Sequence, residues 1–143
     1  MVAMIIVLDT SVFIAALISA NGTNREVLRR CLYQHFQPLM GASLLAEYED
    51  VLSRETIFAG SPVSREERWE LFESLLSVSK WTNVFFGWRP NLRDESDNHL
   101  VELAVAGNAS AIVTNNIRDF AGSELLFNSF QVLTPAQLIK GVP

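Results

Sequence analysis

The stretch MIIVLDTSVFIAAL, residues 4–17, decides the fold of this chain. Its first part, Met4 to Leu8, is a continuous apolar run without alternation, which is typical of a central parallel strand covered on both faces. The part from Ser11 to Ile18 predicts a helix. Asp9 lies between the two and ends the strand. The stretch therefore predicts the opening strand and helix of an α/β fold, with a carboxylate at their junction.

The rest of the chain repeats the alternation of strands and helices. Further strands are predicted at Gln37–Met40, Thr82–Phe86, Ala111–Thr114 and Phe130–Leu133. Helices are predicted from Thr23 through Leu32, from an N-cap at Ser43 through Leu52, from a capping box at Ser64 and Glu67 through about Ser77, from Asp97 to Ala106 before Gly107, and from Thr134 and Pro135 to Gly141. This order predicts a three-layer α/β/α sandwich with a mostly parallel sheet of about five strands, formed by residues 1–143 as one domain.

Composition narrows the class of protein. The 143 residues carry 11 basic and 16 acidic side chains, a net charge of −5, and 49% of them are hydrophobic. One cysteine, Cys31, cannot form an internal disulfide, so we expect reducing, cytoplasmic surroundings. Met1 to Ala20 is apolar, but Asp9 interrupts it and no basic segment precedes it, which argues against a signal peptide or a membrane span. The acidic balance also disfavours a membrane surface and is an objection to any nucleic-acid partner.

Carboxylates follow the predicted strands. In an open parallel sheet, ligands bind beyond the carboxyl ends of the strands, where Asp9 is expected. The hydroxyls of Thr10 and Ser11 could orient Asp9, although a simple helix cap is the alternative. Glu47 lies in the second turn of the helix after strand two, nearer its start than Glu49. Periodicity does not separate these two glutamates, and a solvated surface acid remains the alternative for Glu47.

Two later segments bring further acids to the same edge. Asp97, Leu100, Val101 and Ala104 are spaced as one face of a helix, so Asp97 continues an inward-facing stripe. The loop residue Asp94 precedes it and is a weaker candidate. After the fourth strand, Thr114 is followed by Asn116 and Asp119.

Carboxylates gathered in this number would repel one another unless a cation neutralised them. Hard oxygen ligands suit Mg²⁺ or Mn²⁺, which bind phosphate-bearing substrates through a few carboxylates and retained waters. Two such ions stabilise the attacking and leaving oxygens of an in-line displacement at phosphorus. The layout therefore favours hydrolysis of a phosphodiester.

Three segments resemble the motifs of the PIN-domain family. They are MIIVLDTSVFIAAL (4–17), SLLAEYEDVL (43–52) and RDESDNHLVELAVAGNASAIVTNNIRDF (93–120). Within the family, the chain is similar to the ribonuclease toxins of prokaryotic, VapBC-like toxin–antitoxin pairs. The resemblance implies an endoribonuclease that binds one or two Mg²⁺ or Mn²⁺ ions, an RNA substrate, a cognate antitoxin protein and a homodimer.

Carried over by motif position, the resemblance implies metal-binding and catalytic roles for Asp9, Glu47 and Asp97. The fourth acidic position of the family falls on Asn116, a weaker metal ligand, so Asp119 is the alternative fourth metal ligand. Ser11 and Thr114 match polar positions that support the cluster. The departure at Asn116 leaves open a second reading, a PIN-like module that binds RNA or a partner without cutting.

A covalent aspartyl-phosphate mechanism at Asp9 fits the residues less well. Phosphatases of the haloacid dehalogenase type need a second Asp two residues on, and Ser11 stands there.

Arginines are the expected contacts to RNA, because the chain has nine of them against two lysines and a guanidinium binds phosphate bidentately. The candidates are Arg25, Arg29, Arg89, Arg93 and Arg118, with solvated helix charges as the alternative. Two bound divalent ions would change the net charge from −5 to −1, since each adds two positive charges. We therefore expect RNA binding to depend on metal.

Overall fold

The sheet has five strands, all parallel, in the computed structural model, which describes residues 3–19, 22–84, 98–120 and 130–141. The strands are β1 (Met4–Leu8), β2 (Phe36–Met40), β3 (Lys80–Trp81), β4 (Ala111–Val113) and β5 (Gln131–Leu133). Their order is β3-β2-β1-β4-β5, with parallel pairing at every step. The predicted α/β fold class, with its parallel sheet, is confirmed.

Helices connect the strands. They are α1 (Thr10–Ile18), α2 (Thr23–Leu32), α3 (Ala42–Leu52), α4 (Arg65–Val78), α5 (Asn98–Ala106) and α6 (Pro135–Ile139), with short 3-10 turns at Glu55–Phe58 and Ile117–Phe120. Helix α2 packs on α1, α4, α6 and β2, whereas α5 packs on β1, β2 and β4. The chain first adds strands on one side of β1, up to β3, and then adds β4 and β5 on the other side. Because the crossovers between parallel strands are right-handed, the helices before and after this reversal lie on opposite faces of the sheet.

The centre of the sheet is dry. Ile6, Val7 and Leu8 of β1 and the three residues of β4 are at most 2% exposed. The chain leaves β1 toward β2 and β3, and then returns to add β4 and β5 on the other side. The carboxyl ends of β1 and β4 therefore flank the topological switch point, where ligands bind in open α/β sheets.

The third strand lies earlier than Thr82–Phe86. It covers Lys80–Trp81, pairs with Leu39 and Met40, and ends with a 2.8 Å hydrogen bond from the Thr82 N–H to the Met40 carbonyl. Pairing stops there because the neighbouring chain turns into α3 after Gly41. A Cβ at Gly41 would lie 3.0 Å from the Thr82 carbonyl oxygen, tighter than most real Cβ contacts, so the close approach favours glycine. Phe85 and Phe86 lie outside the described residues.

Helix ends differ from the predictions by one or two residues in most cases. Helix α3 begins at Ala42 after Gly41, without a cap from Ser43, and α6 ends at Ile139 before Gly141, whose φ is 95°. The capping box at Ser64 is confirmed: Ser64 N–H donates to Glu67 Oε1 at 2.9 Å, and Glu67 N–H donates to Ser64 Oγ at 3.2 Å. The hydrogen bond from the Ser64 N–H to the Glu67 carboxylate lowers the pKa of Glu67. Asp97, the predicted start of the fifth helix, lies outside the described residues.

Candidate active site

Asp9 lies directly after β1, in extended backbone, and is 5% exposed. Its N–H donates to the Val113 carbonyl at 3.0 Å, which ties it to β4. Its Oδ2 accepts from Thr114 Oγ1 at 2.7 Å and from Ser11 Oγ at 2.9 Å. The side chain makes no capping hydrogen bond to α1, so the simple helix-cap interpretation is wrong.

The two hydroxyls that hold Asp9 are themselves held by the loop after β4. Thr114 Oγ1 accepts from the Asn116 N–H at 3.0 Å, and Ser11 Oγ accepts from the Asn115 N–H at 3.2 Å. The Asn115 side chain then donates to the Ser11 carbonyl at 3.2 Å and to Asn24 Oδ1 at 2.9 Å. Each hydroxyl therefore donates a hydrogen bond to Asp9 and accepts one from a backbone N–H, which fixes the direction of its O–H bond.

Glu47 is the second acid at this edge, with 28% of its side chain exposed. Thr10 Oγ1 donates to its Oε2 at 3.1 Å, and His99 Nε2 lies 3.2 Å from its Oε1. The Thr10 hydroxyl thus binds Glu47, although the sequence suggested that it could orient Asp9. Glu49 is exposed on the same helix. The structure therefore separates the two glutamates that periodicity left equivalent.

Tyr48 fastens the strand end that carries Asp9. Its hydroxyl donates to the Leu8 carbonyl at 2.8 Å, and its ring packs against Phe13 and Phe72 with centroids 5.4 and 5.2 Å away. Burial raises the pKa of Tyr48 well above its ordinary value, and the charges of Asp9 and Glu47 act in the same direction. The phenol therefore stays protonated and keeps its donor role.

An open cleft of about 410 Å³ lies over these residues. The residues that line it, most of which carry side-chain oxygens, are Asp9, Thr10, Ser11, Ile14, Glu47, Asp50, Val51, Arg54, Asn116 and Asp119. Among the described lining residues, four carry carboxylates and one, Arg54, carries a guanidinium, which pairs with Asp50 Oδ2 at 2.5 Å. Asn116 and Asp119 both line the cleft, so both alternatives for the fourth position lie at the site.

Metal binding fits the chemistry of this lining, since carboxylate and amide oxygens are the ligands that Mg²⁺ prefers. Across 3–19, 22–84, 98–120 and 130–141, no group of three or more His, Cys, Asp or Glu side chains is close enough to hold an ion. The predicted third ligand, Asp97, falls outside these ranges. Among the described residues, the acids Asp9, Glu47 and Asp119 line the cleft.

Two of the predicted RNA-binding arginines, Arg25 and Arg29, are not among the described residues that line the cleft. Arg25 Nε donates to the Ala16 carbonyl at 3.0 Å, and Arg29 forms two hydrogen bonds with Glu26, at 2.9 and 2.6 Å. Both line a separate groove beside Tyr33. Arg118 is exposed on the 3-10 turn next to Asp119, and Arg89 and Arg93 lie outside the described residues.

Sequence reasoning missed Arg54 and His99 as neighbours of the acids. Arg54 follows Asp50 by four residues, a spacing that brings opposite charges together at a helix end, although Arg54 itself lies two residues beyond the last residue of α3. That spacing could have found it. His99 is 52 residues from Glu47, and no local pattern links the two.

A parallel α/β protein with carboxylates at its switch point is the class that the fold and the cleft define. The profile of the PIN domain matches residues 5–118, and the chain therefore belongs to the PIN-domain family. A similar solved structure is the crystal structure of VapBC2 from Rickettsia felis bound to a DNA fragment from their promoter. It is 17% identical with a TM-score of 0.57, over 92% of this chain and 98% of that one. This likeness concerns the fold. No curated protein matches the chain.

Proposed function

We propose that this protein is a Mg²⁺- or Mn²⁺-dependent endoribonuclease and the toxin of a toxin–antitoxin pair. The observation that carries the proposal is the acidic cleft at the switch point, where Asp9 and Glu47 are both oriented by hydroxyl donors. Membership of the PIN-domain family supports the same chemistry, because the family implies a nuclease.

Asp9, Glu47 and Asp97 would hold the metal, with Asp119 or Asn116 as the fourth ligand. The two hydroxyl bonds to Asp9 both go to Oδ2, and within the described residues Oδ1 has no hydrogen bond. A carboxylate with one oxygen held and the other open to a cleft suits an ion ligand. Bound divalent ions would supply positive charge on the phosphate and a water of lowered pKa.

The chain itself does the positioning. Thr114 and Ser11 fix the Asp9 carboxylate, and Tyr48 fixes the backbone just before it. Arg54 is the one cationic side chain among the described residues that line the cleft, so it would contact a phosphate of the bound RNA. Because Arg54 and Asp50 are both exposed, their ion pair is weak, and Arg54 could leave Asp50 to bind a phosphate.

The partner proposals follow from the family and the neighbour. The solved structure of similar fold is a VapBC2 assembly, which supports an antitoxin partner for this chain. A homodimer and a cytoplasmic location are proposed with it. No helix within the described ranges is long and apolar enough to cross a bilayer.

Cleavage of RNA with a matched pair of variants tests the proposal. The parent protein with Mn²⁺ should cut a fluorescent RNA oligonucleotide, and Asp9→Asn should not, because a carboxamide is a weaker ligand than a carboxylate. Glu49 is a glutamate on the same helix as Glu47, two positions later, and it is exposed. Glu49→Gln should therefore cut at the parent rate. Equal activity of the parent and Asp9→Asn would refute the proposed site.

The second candidate is a PIN-like module that binds RNA or a partner without cutting. The neutral Asn116 in the cleft favours it, since an amide lowers the charge available for a second ion. Isothermal titration with Mg²⁺ and Mn²⁺ separates the two candidates. Binding heat that Asp9→Asn abolishes supports the enzyme, and absence of heat in the parent supports the binding module.

A further inference from the structure

Side chains from two other helices contact the Glu47 carboxylate, one at each of its oxygens. Thr10, at the start of α1, reaches its Oε2 at 3.1 Å, and His99, in the first turn of α5, reaches its Oε1 at 3.2 Å. A glutamate on a helix has three side-chain torsions, so each contact to its carboxylate restricts the orientations that the group can adopt. Contacts to both oxygens define a single orientation toward the cleft that Glu47 lines.

His99 has an environment that suits this one contact. Its side chain is 19% exposed, and its Nδ1 is buried with no hydrogen-bond partner in the part of the chain that the structure describes. An ionised carboxylate only accepts, so the proton of a neutral ring must be on Nε2 for the contact to be a hydrogen bond. The buried Nδ1 agrees with this tautomer, because an unprotonated nitrogen there leaves no donor unsatisfied.

We infer that His99 is a positioning residue of the acidic site: its Nε2–H holds Oε1 of Glu47 while the Thr10 hydroxyl holds Oε2. The inference rests on the proposed function for its consequence, metal binding at Glu47. It also joins α3 to the start of α5, the helix that follows Asp97 in the sequence. One imidazole would thus set the orientation of one acid and the position of the segment beside another.

The chain has only two histidines, which makes the hydrogen bond directly observable. In metal-free protein with ¹⁵N-labelled imidazoles, His99 should show the Nε2–H tautomer with an observable, slowly exchanging proton. Glu47→Ala should shift the His99 nitrogens and lose that proton signal. His35, exposed before β2, should be unchanged and serves as the internal control. This measurement leaves His99 itself intact, so it does not depend on the folding of a His99 variant.

Metal affinity tests the consequence. His99→Leu replaces the imidazole by a side chain of similar size that has no hydrogen-bond donor. It should weaken Mn²⁺ binding by about 10-fold or more, which is the usual effect of removing a hydrogen bond to a metal ligand. His99→Gln offers an amide donor and should recover most of the affinity. His35→Gln is the matched control and should bind like the parent. RNA cleavage at saturating Mn²⁺ should follow the same order.

The outcomes separate this inference from the proposed function. A parent protein that binds no Mn²⁺ would overturn the proposed function. A parent that binds Mn²⁺ no more tightly than folded His99→Leu would overturn the role of His99 alone. His99 resonances that do not respond to Glu47→Ala would also overturn that role, whatever the metal affinity. Equal weakening by His99→Gln and His99→Leu would show that packing, rather than the donor, is responsible.

Discussion

Replacing Thr114 by valine removes one hydroxyl from the most buried polar position of the site. Thr114 is 0% exposed, and its Oγ1 donates to Asp9 Oδ2 at 2.7 Å while accepting from the Asn116 N–H at 3.0 Å. Valine keeps the shape of the side chain, so the change isolates the hydrogen bonds. A hydrogen bond to a charged group contributes about 1.5–3 kcal/mol. We expect Thr114→Val to lower the free energy of unfolding by that amount.

The loss is measured by urea unfolding in chelator and by calorimetry, where about 2–4 °C of Tm per kcal/mol predicts a fall of roughly 3–12 °C. Thr114→Ser keeps the donor and should recover most of the loss. Thr56→Val, on the exposed 3-10 turn, should stay within about 0.5 kcal/mol of the parent. When Asp9 is already replaced by Asn, adding Thr114→Val should lower the free energy of unfolding by only about 1 kcal/mol, because the acceptor at position 9 is then neutral. Thr114→Val as stable as the parent would refute the reasoning.

Three further outcomes are expected. Arg54→Ala should raise the KM for RNA and reduce the slope of log affinity against log salt by about 0.7–0.9, while Arg65→Ala, at an ion pair away from the cleft, should do neither in fluorescence anisotropy or kinetics. RNA should bind weakly in chelator and more tightly with Mg²⁺, and equal anisotropy curves would contradict this. Burial raises the pKa of Cys31 to about 12 and that of Tyr48 well above its usual value. Below the pKa values of these groups in the unfolded chain, the free energy of unfolding has its full value. It falls as pH rises above them, because the unfolded chain loses these protons first. Denaturant unfolding between pH 8 and 11 should show the decline, and Cys31→Ala should make it shallower.

The sequence predicted the position of Asp9 because two general rules act together there. A two-sided apolar strand must lie in the centre of a parallel sheet, and ligands bind at the carboxyl ends where the strand order reverses. Thr114 follows from the same rules, since it ends the strand that pairs with β1. The sheet order itself places the two side chains within hydrogen-bond distance.

The partners of each side chain could not be predicted in the same way. Glu47 and Glu49 flank one apolar stripe at similar angles, and the choice between them depends on a histidine in a helix that packs on α3 from elsewhere in the chain. The third strand was placed too late because its length depends on β2, which ends at Met40 before α3 begins. Local pattern does not contain either of these constraints.

The net charge of −5 is explained better by the positions of the charges than by their number. Several of the basic side chains already form ion pairs with acids of this chain. Arg29 and Arg30 both pair with Glu26 and lower its pKa to about 2. Arg68, which is 2% exposed, pairs with Glu55. The residues that line the cleft in the described part of the chain include four carboxylates and one guanidinium, and these repel a phosphate that enters it. Divalent ions would reverse the sign of that interaction at the place where hydrolysis is proposed. We therefore predict that RNA binding at this cleft depends on the proposed metal ions, and that removing them abolishes the affinity for RNA before the protein unfolds.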